Sequence, residues 1–308
     1  MYSIPARRSW SRFPLAPDGA SLALLSTLSS VLPINSSDGG DQMMLRFEEA
    51  LRLEPTQLRA EIARGKWQGP TGGLAPGHVQ ANLVVLPEHL ALSFFTFCQR
   101  NPKPCPILEV TEPGRSDVTD VAEADLLREI PRYRVYRDGN LVDEPLSIEP
   151  HWRADLVAFL LGCSLTFEDA LVRASVPVRH LEANRTVPMY ETRIPCRRAG
   201  PFRGNLVVSM RPVPGHLVSK MVLITSRFPL AHGAPVHVGD PAQIGIEDLD
   251  AVRFGDPPVM EPGDVPVFHA CGVTPQVVAM QSHPELLMSH EPGHMLVCDT
   301  ESRALATF

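Results

Sequence analysis

The chain of 308 residues is 44 % hydrophobic and 20 % charged, and its 31 prolines amount to about 10 % against a usual share of about 5 %. This length and hydrophobic content can bury a large core, which excludes both a disordered chain and a small disulfide-stapled fold. The net charge of −7 argues against a nucleic-acid-binding protein, and no apolar run approaches the roughly 18 residues of a membrane span. We predict a soluble protein with no nucleic-acid or membrane partner.

Six cysteines are spread through the chain without a C-x-x-C pair. This pattern indicates neither a zinc ribbon nor a disulfide framework. Reduced thiols of this kind are typical of the cytosol or an organelle matrix, so we predict a cytoplasmic protein.

Residues 1–42 differ from the rest because they are rich in serine and arginine and have no acidic residue before Asp18. Three interpretations stay open: a secretory signal, whose apolar stretch is here interrupted by serine and threonine; a transit peptide, which would place the protein in the mitochondrial matrix; and a disordered extension or misassigned start. We predict that the folded domain spans residues 43–308.

The first part of this domain is expected to contain two helices at residues 45–53 and 55–63. The second begins with proline at its first position and is followed by Gly65. A strand, a helix and a second strand then follow at residues 79–86, 87–100 and 107–110. This strand, helix, strand order predicts an α/β fold.

A hairpin is predicted at residues 133–142, with Asp138-Gly139 at its turn. The polar, irregular remainder of residues 112–150 suggests an inserted subdomain. The later part of the chain is expected to form helices at 155–161, 166–174 and 217–226, and strands at 176–180, 206–210, 236–238, 265–270 and 295–298.

The string His290-Glu291-Pro292-Gly293-His294 matches the H-E-x-x-H zinc motif by its letters. That motif binds zinc only when a helix places both histidines on one face. Pro292 and Gly293 disfavour such a helix, so we predict no metal site here, although His294 could act in a site on its own account.

Residues 69–77, GPTGGLAPG, have the glycine density of a phosphate-binding loop but the spacing of no nucleotide-binding motif. Glycines let a backbone approach a ligand closely, so the loop either frames a substrate or is a structural crossing. In the first case Thr71, Gln80 and Asn82 would supply its polar contacts.

Between Arg185 and Arg211 the chain carries six arginines and one acidic residue, Glu191. These arginines either form a solvated face or include one or two that bind a substrate carboxylate, for which the planar guanidinium is well suited. Arg211 is the preferred candidate, because it leaves an apolar strand just before Pro212.

Residues 265–275 predict a strand, a tight turn and a helix start, with Thr274 as the N-cap and Pro275 at the first helical position. A helix N-terminus favours the anionic form of a thiol, so Cys271 is either a reactive thiolate with a lowered pKa or a small buried filler. Cys163 and Ser164, at the end of a predicted helix, are secondary candidates.

Two histidines and an aspartate surround the short strand at residues 236–238. The spacing of His237 and Asp240 allows both to lie near one strand end, where they could form an acid–base pair. A Ser-His-Asp triad is not predicted, because the chain has no G-x-S-x-G motif.

Several characteristic sequence segments follow one another between residue 43 and about residue 299. Among them are Val79-Gln80-Ala81-Asn82-Leu83, Gly162-Cys163-Ser164, Val208-Ser209-Met210-Arg211-Pro212, His232-Gly233-Ala234-Pro235-Val236-His237 and Ala270-Cys271-Gly272-Val273-Thr274-Pro275. Together they resemble the hydro-lyase family related to mitochondrial D-glutamate cyclase. Residues 1–42 lie outside the resemblance, and Gly72 stands where alanine is expected in many relatives.

The resemblance implies a lyase that cyclises D-glutamate to 5-oxo-D-proline with loss of water. It also implies an α/β fold, which we expect as a layered mixed sheet with helices on both faces and a smaller α+β subdomain. No established catalytic residue comes with it.

The chemistry of this cyclisation indicates what the site must supply. Because the substrate's own amine attacks its own carboxylate, holding a folded conformer already gives a large effective molarity. The amine must be neutral and a departing oxygen must be protonated. We assign catalysis to His237, Asp240 and Cys271, and substrate binding to Thr71, Asn82, Ser164, Arg211 and Thr274.

Two other functions stay open. One is a cysteine-based acid/base enzyme that uses Cys271 with Cys163 on another small amino or hydroxy acid, and the other is a non-catalytic small-carboxylate binding protein. In each case we expect a small carboxylate as the partner, no cofactor and no metal, and we allow for a homodimer.

Overall fold

A computed structural model describes residues 44–307 of the chain, so the extension expected at residues 1–42 lies outside it. The helices of the described residues are α1 Phe47–Ala50, α2 Pro55–Ala63, α3 Glu88–Arg100, α4 Glu168–Arg173, α5 Arg179–Glu182, α6 Val218–Thr225 and α7 Val273–Gln281. The strands are β1 His78–Pro87, β2 Ile107–Val110, β3 Asp117–Val118, β4 Ala124–Asp125, β5 Tyr133–Arg137, β6 Asn140–Asp143, β7 Leu156–Gly162, β8 Met189–Pro195, β9 Asn205–Pro214, β10 His237–Val238, β11 Asp264–Ala270, β12 Leu287–His290 and β13 Leu296–Glu301.

Seven strands form a large sheet in the order β2-β7-β1-β12-β5-β6, and β13 pairs with β1 beside β12. The central strand β1 is buried along its length after His78, and Val84 pairs with Phe159 on one side and Ser289 on the other. A strand buried on both faces needs an almost continuous apolar run, which the sequence of β1 provides.

Different segments of the chain cover the two faces of this sheet. On one face, side chains of α3 and α7 pack with Val84 and Leu86 of β1. On the other face, Val118, Leu126 and Ile130 of an irregular segment pack with the alternate β1 side chains, which include Leu83 and Val85. Both layers follow from the period of two along a strand.

A second sheet has four strands in the order β10-β11-β9-β8, and β3 with β4 forms a two-stranded ribbon. In the four-stranded sheet Ser209 pairs with His269, and Arg211 pairs with Val267. Helices α4 and α6 and the turns next to them pack on the face of Val267 and Val213. These registers decide which polar side chains of β9 and β11 share a face.

The α/β class expected from the sequence is confirmed. The arrangement differs from the expected one in two respects, since every strand pair with a defined register is antiparallel and one face of the large sheet is covered by an irregular segment. Antiparallel strands need only short connections, which agrees with the hairpins of this chain.

Several local predictions match the structure closely. Helix α2 has the expected bounds with a proline at its start, and strand β2 is where it was expected. The hairpin turn has left-handed backbone at Asp138 (φ +50°) and Gly139 (φ +80°), as the favoured two-residue hairpin turn requires.

Two predicted elements are wrong. Residues 155–161 form strand β7 in place of a helix, because an apolar run buried on both faces carries no period that separates helix from strand. Residues 176–180 form a loop that leads into α5 at Arg179 in place of a strand. Strands β8 and β12, which the sequence did not predict, complete the two sheets.

The segment 112–150 is part of the main sheet and not a separate subdomain. Its strand β5 pairs with β12 from Tyr133 to Tyr136, and its apolar side chains complete one face of the sheet. The Tyr133 hydroxyl donates to the Leu126 carbonyl at 2.8 Å, which ties the strand to this covering layer.

Candidate functional site

A cluster of buried polar side chains lies on one face of the four-stranded sheet. Ser209 and Arg211 alternate along β9 and therefore share a face, and His269 of β11 lies opposite Ser209. All three are fully buried. Burying a guanidinium is costly unless it is paired and hydrogen-bonded, so the partners of Arg211 define the cluster.

Glu168, at the start of α4, is the charged partner of Arg211. Nε and Nη2 of Arg211 both donate to Oε1 of Glu168, at 2.9 and 2.5 Å. Nη2 also donates to Ser164 Oγ at 2.9 Å and Nη1 to Ser209 Oγ at 3.1 Å. The guanidinium lies 5.0 Å from the centre of the Phe167 ring, so the segment 164–168 surrounds it.

The second oxygen of Glu168, Oε2, is buried and has no hydrogen-bond partner among the described residues. Oε1 also lies 3.1 Å from Nε2 of His180. Burial alone would raise the pKa of Glu168, but His180 and Arg211 together hold that pKa below its ordinary value. Glu168 is therefore an anion with one free oxygen inside the cluster.

His232 lies in a left-handed backbone conformation (φ +76°) after the short turn Pro229–Ala231. Its Nδ1 is 2.9 Å from the Lys103 carbonyl oxygen, and because a carbonyl can only accept, Nδ1 carries the proton. Nε2 is buried and has no hydrogen-bond partner between residues 44 and 307. Burial, with help from Arg211 and Lys103, lowers the pKa of His232 to about 4, so Nε2 is a free basic nitrogen at neutral pH.

His269 is a second buried neutral imidazole. Thr225 donates its hydroxyl hydrogen to the Met221 carbonyl at 3.0 Å, so His269 Nε2, 3.2 Å from Thr225 Oγ1, is the donor in that contact. Its Nδ1 has no hydrogen-bond partner within the part of the chain that the structure describes. Burial, together with the positive charges of Arg211 and Lys103, holds the pKa of His269 well below its ordinary value.

Lys103 adds a positive charge at the edge of the cluster. Its ammonium group lies 3.8 Å from where a Cβ on Gly233, next to His232, would be. Partial burial lowers the pKa of Lys103. With Arg211 balanced by Glu168, this lysine makes the surroundings of the two imidazoles favourable for an anion.

Cys163 and Cys271 both lie near enough to Arg211 to feel its charge, and a negative charge on Cys271 would raise the pKa of Cys163. They are 8 % and 7 % exposed. Burial raises the pKa of Cys163 to about 12 and that of Cys271 to about 11. The lowered pKa expected for Cys271 is therefore wrong, because desolvation outweighs the backbone N–H of Val273 near its sulfur.

Asn82 connects the large sheet to this region. Its Nδ2 donates to the Gly162 carbonyl at 2.7 Å, just before Cys163. A Cβ on Gly272 would lie 2.0 Å from Asn82 Nδ2, so the glycine lets the start of α7 lie directly against this side chain. Asn82, Cys163, Ser164, Arg211 and Cys271 are thus brought together.

His237 and Asp240 are not part of this cluster. His237 Nε2 contacts the backbone carbonyl of Asp240 at 2.7 Å, while the Asp240 carboxylate accepts from Ala242 N and caps a short turn. His237 pairs with Phe268, which faces away from Ser209 and Arg211. The two side chains do not form the expected imidazole–carboxylate pair.

Thr71 and Thr274 are held by structural hydrogen bonds. The Thr71 hydroxyl donates to Gln80 Oε1 at 2.7 Å, and the Thr274 hydroxyl donates to the Val207 carbonyl at 3.1 Å. Helix α7 begins at Val273 with Gly272 before it, so Thr274 lies inside the helix and is not the expected N-cap. Both threonines fasten loops or helices to neighbouring strands.

Sequence reasoning missed His232, His269, Lys103 and Glu168 as members of the cluster. His232 stands in the same segment as His237, but nothing in the local sequence distinguishes a buried histidine from a half-buried one five residues later. For His269 the signal was an imidazole within an otherwise apolar strand. Because a buried polar side chain needs hydrogen-bond partners, a histidine in such a strand could have been recognised as a candidate for a buried polar cluster.

The histidines of the H-E-x-x-H string do not share a helix. His290 ends strand β12, and Pro292 and Gly293 form a turn. Between residues 44 and 307 no group of three or more histidine, cysteine or acidic side chains is placed to hold a metal ion. In the same range, no helix combines the length and apolarity needed to cross a bilayer.

Two open cavities lie away from the buried cluster. One of about 470 Å³ is lined by residues near Arg198 and Arg203. The other, of about 490 Å³, is lined by residues near Tyr190 and Glu247. Neither cavity is lined by Arg211 or its partners.

Comparison with known proteins places this chain among the lyases. Residues 157–299 match the D-glutamate cyclase family. The chain is 52 % identical over 257 residues to "Putative hydro-lyase GK2103" of Geobacillus kaustophilus, covering 83 % of this chain and 98 % of the relative. The chain therefore belongs to the family of hydro-lyases that contains the D-glutamate cyclase domain.

Two further relatives agree with this assignment. A protein of Stutzerimonas stutzeri named "Putative hydro-lyase" is 53 % identical over 82 % of this chain and 96 % of its own length. "Putative hydro-lyase Teth514_1597" of a Thermoanaerobacter strain is 54 % identical over 82 % of this chain and 96 % of its own length. Among solved structures, a nitrogen repressor-like protein of Methanococcus jannaschii covers 79 % of this chain and 97 % of its own, with 11 % identity and a TM-score of 0.34. That last similarity is too weak to assign a fold.

Proposed function

We propose that this lyase cyclises D-glutamate to 5-oxo-D-proline and water, in the cluster around Arg211. The family description supports a D-glutamate-type substrate. In this reaction a bond forms between the α-nitrogen and the side-chain carboxyl carbon, and one carbon–oxygen bond breaks. Two protons leave the ammonium nitrogen and two protons leave with the departing oxygen as water, so the protein has only to relay protons.

The observation that carries the proposal is the free Nε2 of His232. Its pKa of about 4 keeps the ring neutral, and its Nδ1–H is fixed by the Lys103 carbonyl. A neutral imidazole with a fixed tautomer and an unpaired second nitrogen is prepared to accept a proton. We propose that Nε2 accepts a proton from the substrate ammonium group. The loss of this proton makes the substrate nitrogen nucleophilic.

Substrate binding would strengthen this base. The positive charges of Arg211 and Lys103 help to lower the pKa of His232. A bound carboxylate offsets those charges and raises the pKa towards its ordinary value, so the imidazole becomes a better proton acceptor once the anionic substrate is in place. Lys103, which forms no ion pair among the described residues, is the group that we assign to the carboxylate.

Arg211 has a different role from the one expected. Its guanidinium donates to Glu168, Ser164 and Ser209, so most of its donors are already used inside the protein. We propose that it supplies positive charge and fixes the segment 164–168, while the unprotonated Nδ1 of His269 accepts the second proton lost by the substrate nitrogen and passes it to the departing oxygen. His237 and Asp240 have no part in this scheme.

Cys163 and Cys271 are neutral thiols in this scheme. Because their pKa values are about 12 and 11, both thiols stay protonated at neutral pH. They line the region next to Asn82 and do not act as nucleophiles. This distinguishes the proposal from the cysteine-based alternative, in which one thiolate removes a proton from the α-carbon of the substrate.

The proposal is tested by NMR of the purified protein with D-glutamate, L-glutamate, 5-oxoproline and small hydroxy acids. We expect D-glutamate to be converted to 5-oxoproline with retention of its α-proton. Exchange of the α-proton with D₂O would instead indicate chemistry at the α-carbon. Thermal stabilisation by D-glutamate without turnover would indicate a binding protein, and either result would contradict the proposal.

A further inference from the structure

The arginines between β8 and β9 form a feature that the cyclisation does not use. The connection 196–204 carries Arg197, Arg198 and Arg203, and all three side chains are exposed. No acidic residue occurs between Pro195 and Asn205. Within residues 44–307, neither Arg198 nor Arg203 forms a side-chain ion pair, unlike Arg193 on the same strand, which pairs with Glu247 at 2.6 Å.

This connection is rigidly held. The buried side chain of Asn101 donates to the Arg197 carbonyl at 2.8 Å and accepts from the Arg197 N–H at 2.8 Å. Phe202 is fully buried, with its ring centre 5.2 Å from that of Phe94. The arginine side chains therefore start from a fixed backbone, which reduces the entropy lost when a ligand is bound.

Arg198 and Arg203 line a cavity of about 470 Å³, together with Asn205 and Gln281. A Cβ on Gly204 would lie 2.8 Å from Gln281 Oε1, so only glycine lets that amide lie over the backbone of the connection. Two guanidinium groups and two amides around one concave space match the oxygens of a carboxylate or phosphate, and the volume suits a metabolite.

We propose that this cavity is a second binding site, which takes a small dianion through Arg198 and Arg203. The shared chemistry is that of a phosphate monoester or a dicarboxylate. The site is separate from the cluster around Arg211 and does not depend on the proposed cyclisation. It lies at the C-terminal end of α7, the helix whose other end contacts Asn82.

Isothermal titration with inorganic phosphate and, separately, with glutarate tests the proposal. We expect at least one of them to bind with a dissociation constant of about 1 mM or below. In the double variant Arg198→Gln/Arg203→Gln that binding should weaken at least tenfold. Circular dichroism should be unchanged, because the two side chains are exposed and do not hold the fold.

The matched control is Arg193→Gln, which removes one positive charge from the same hairpin outside the cavity. Its affinity for the dianion should stay within about twofold of the parent. Phosphate binding alone would identify a phosphate-bearing ligand, and glutarate binding alone a dicarboxylate. Binding that is absent up to about 10 mM, that persists in the double variant, or that weakens equally in the control would overturn the proposal.

Discussion

Arg211 donates two hydrogen bonds to a single oxygen of Glu168, at 2.9 and 2.5 Å, and the other oxygen of that carboxylate has no hydrogen-bond partner among the described residues 44–307. Both side chains are buried, one on strand β9 and the other at the start of α4. The pair therefore joins the four-stranded sheet to the segment that lies over it. It also sets the charge around His232 and His269.

Replacing Glu168 with glutamine should destabilise the protein by about 3 to 5 kcal/mol, because it leaves the Arg211 charge buried without an anion. Urea unfolding at neutral pH measures this free energy. Glu247→Gln is the control, since it removes an exposed partner of Arg193 and should cost less than about 1 kcal/mol. Equal stability of the Glu168 variant and the parent would show that the pair does not hold the fold.

The same pair predicts how stability depends on pH. Since the pKa of Glu168 is lower in the folded protein than its ordinary value of 4.5, its contribution is present above that value and is lost as the pH falls through the folded pKa. The difference in unfolding free energy between parent and Glu168→Gln should therefore shrink under acidic conditions. A difference that grows on acidification would contradict the lowered pKa.

Gly272→Ala should disturb the contact between α7 and the large sheet. The added Cβ would lie 2.0 Å from Asn82 Nδ2, and overpacking of this kind costs about 1 to 3 kcal/mol. Gly215→Ala is the control, because its Cβ would meet its nearest neighbour at an ordinary 3.6 Å.

The double variant Asn82→Ala/Gly272→Ala shows whether the contact is direct. With the amide removed, the alanine at position 272 should cost less than it does alone, and the two effects should differ from additivity by about 1 kcal/mol. Additive effects would show that the glycine is needed for another reason.

The buried thiols predict a slow reaction with iodoacetamide at neutral pH. Because burial raises the pKa of Cys271 to about 11, alkylation should accelerate about tenfold per pH unit through the range above neutrality. Mass spectrometry of the peptides with Cys163 and Cys271 follows the reaction, and the urea-unfolded chain is the reference. Rapid alkylation at pH 7 with loss of turnover would favour the cysteine-based alternative.

Local patterns predicted much of the first half of the fold. The proline at the first position of α2, the apolar run of β1 and the Asp138-Gly139 turn each act within a few residues, so their structures follow from nearby sequence. Strand β7 did not follow, because its side chains are buried on both faces and leave no period to detect.

The candidate site depends on contacts between residues far apart in the chain. Arg211 was predicted to bind a substrate carboxylate, but its partner Glu168 lies 43 residues earlier and is brought to it only by the packing of α4 on the sheet. His232 and His237 could not be separated by sequence, since the difference between them is which face of the sheet each one reaches. Which of the two histidines is buried depends on the topology of the fold and not on local sequence propensity.

The central claim is that the free Nε2 of His232 accepts the proton that activates D-glutamate. It is tested most directly by the rate of 5-oxoproline formation in His232→Asn, in which asparagine tolerates the left-handed backbone of this position and can keep the hydrogen bond to the Lys103 carbonyl. We predict a rate lowered about 10²- to 10⁴-fold, with His237→Asn close to the parent and thermal stability retained in both. A His232→Asn protein that cyclises D-glutamate at the parent rate would contradict the account.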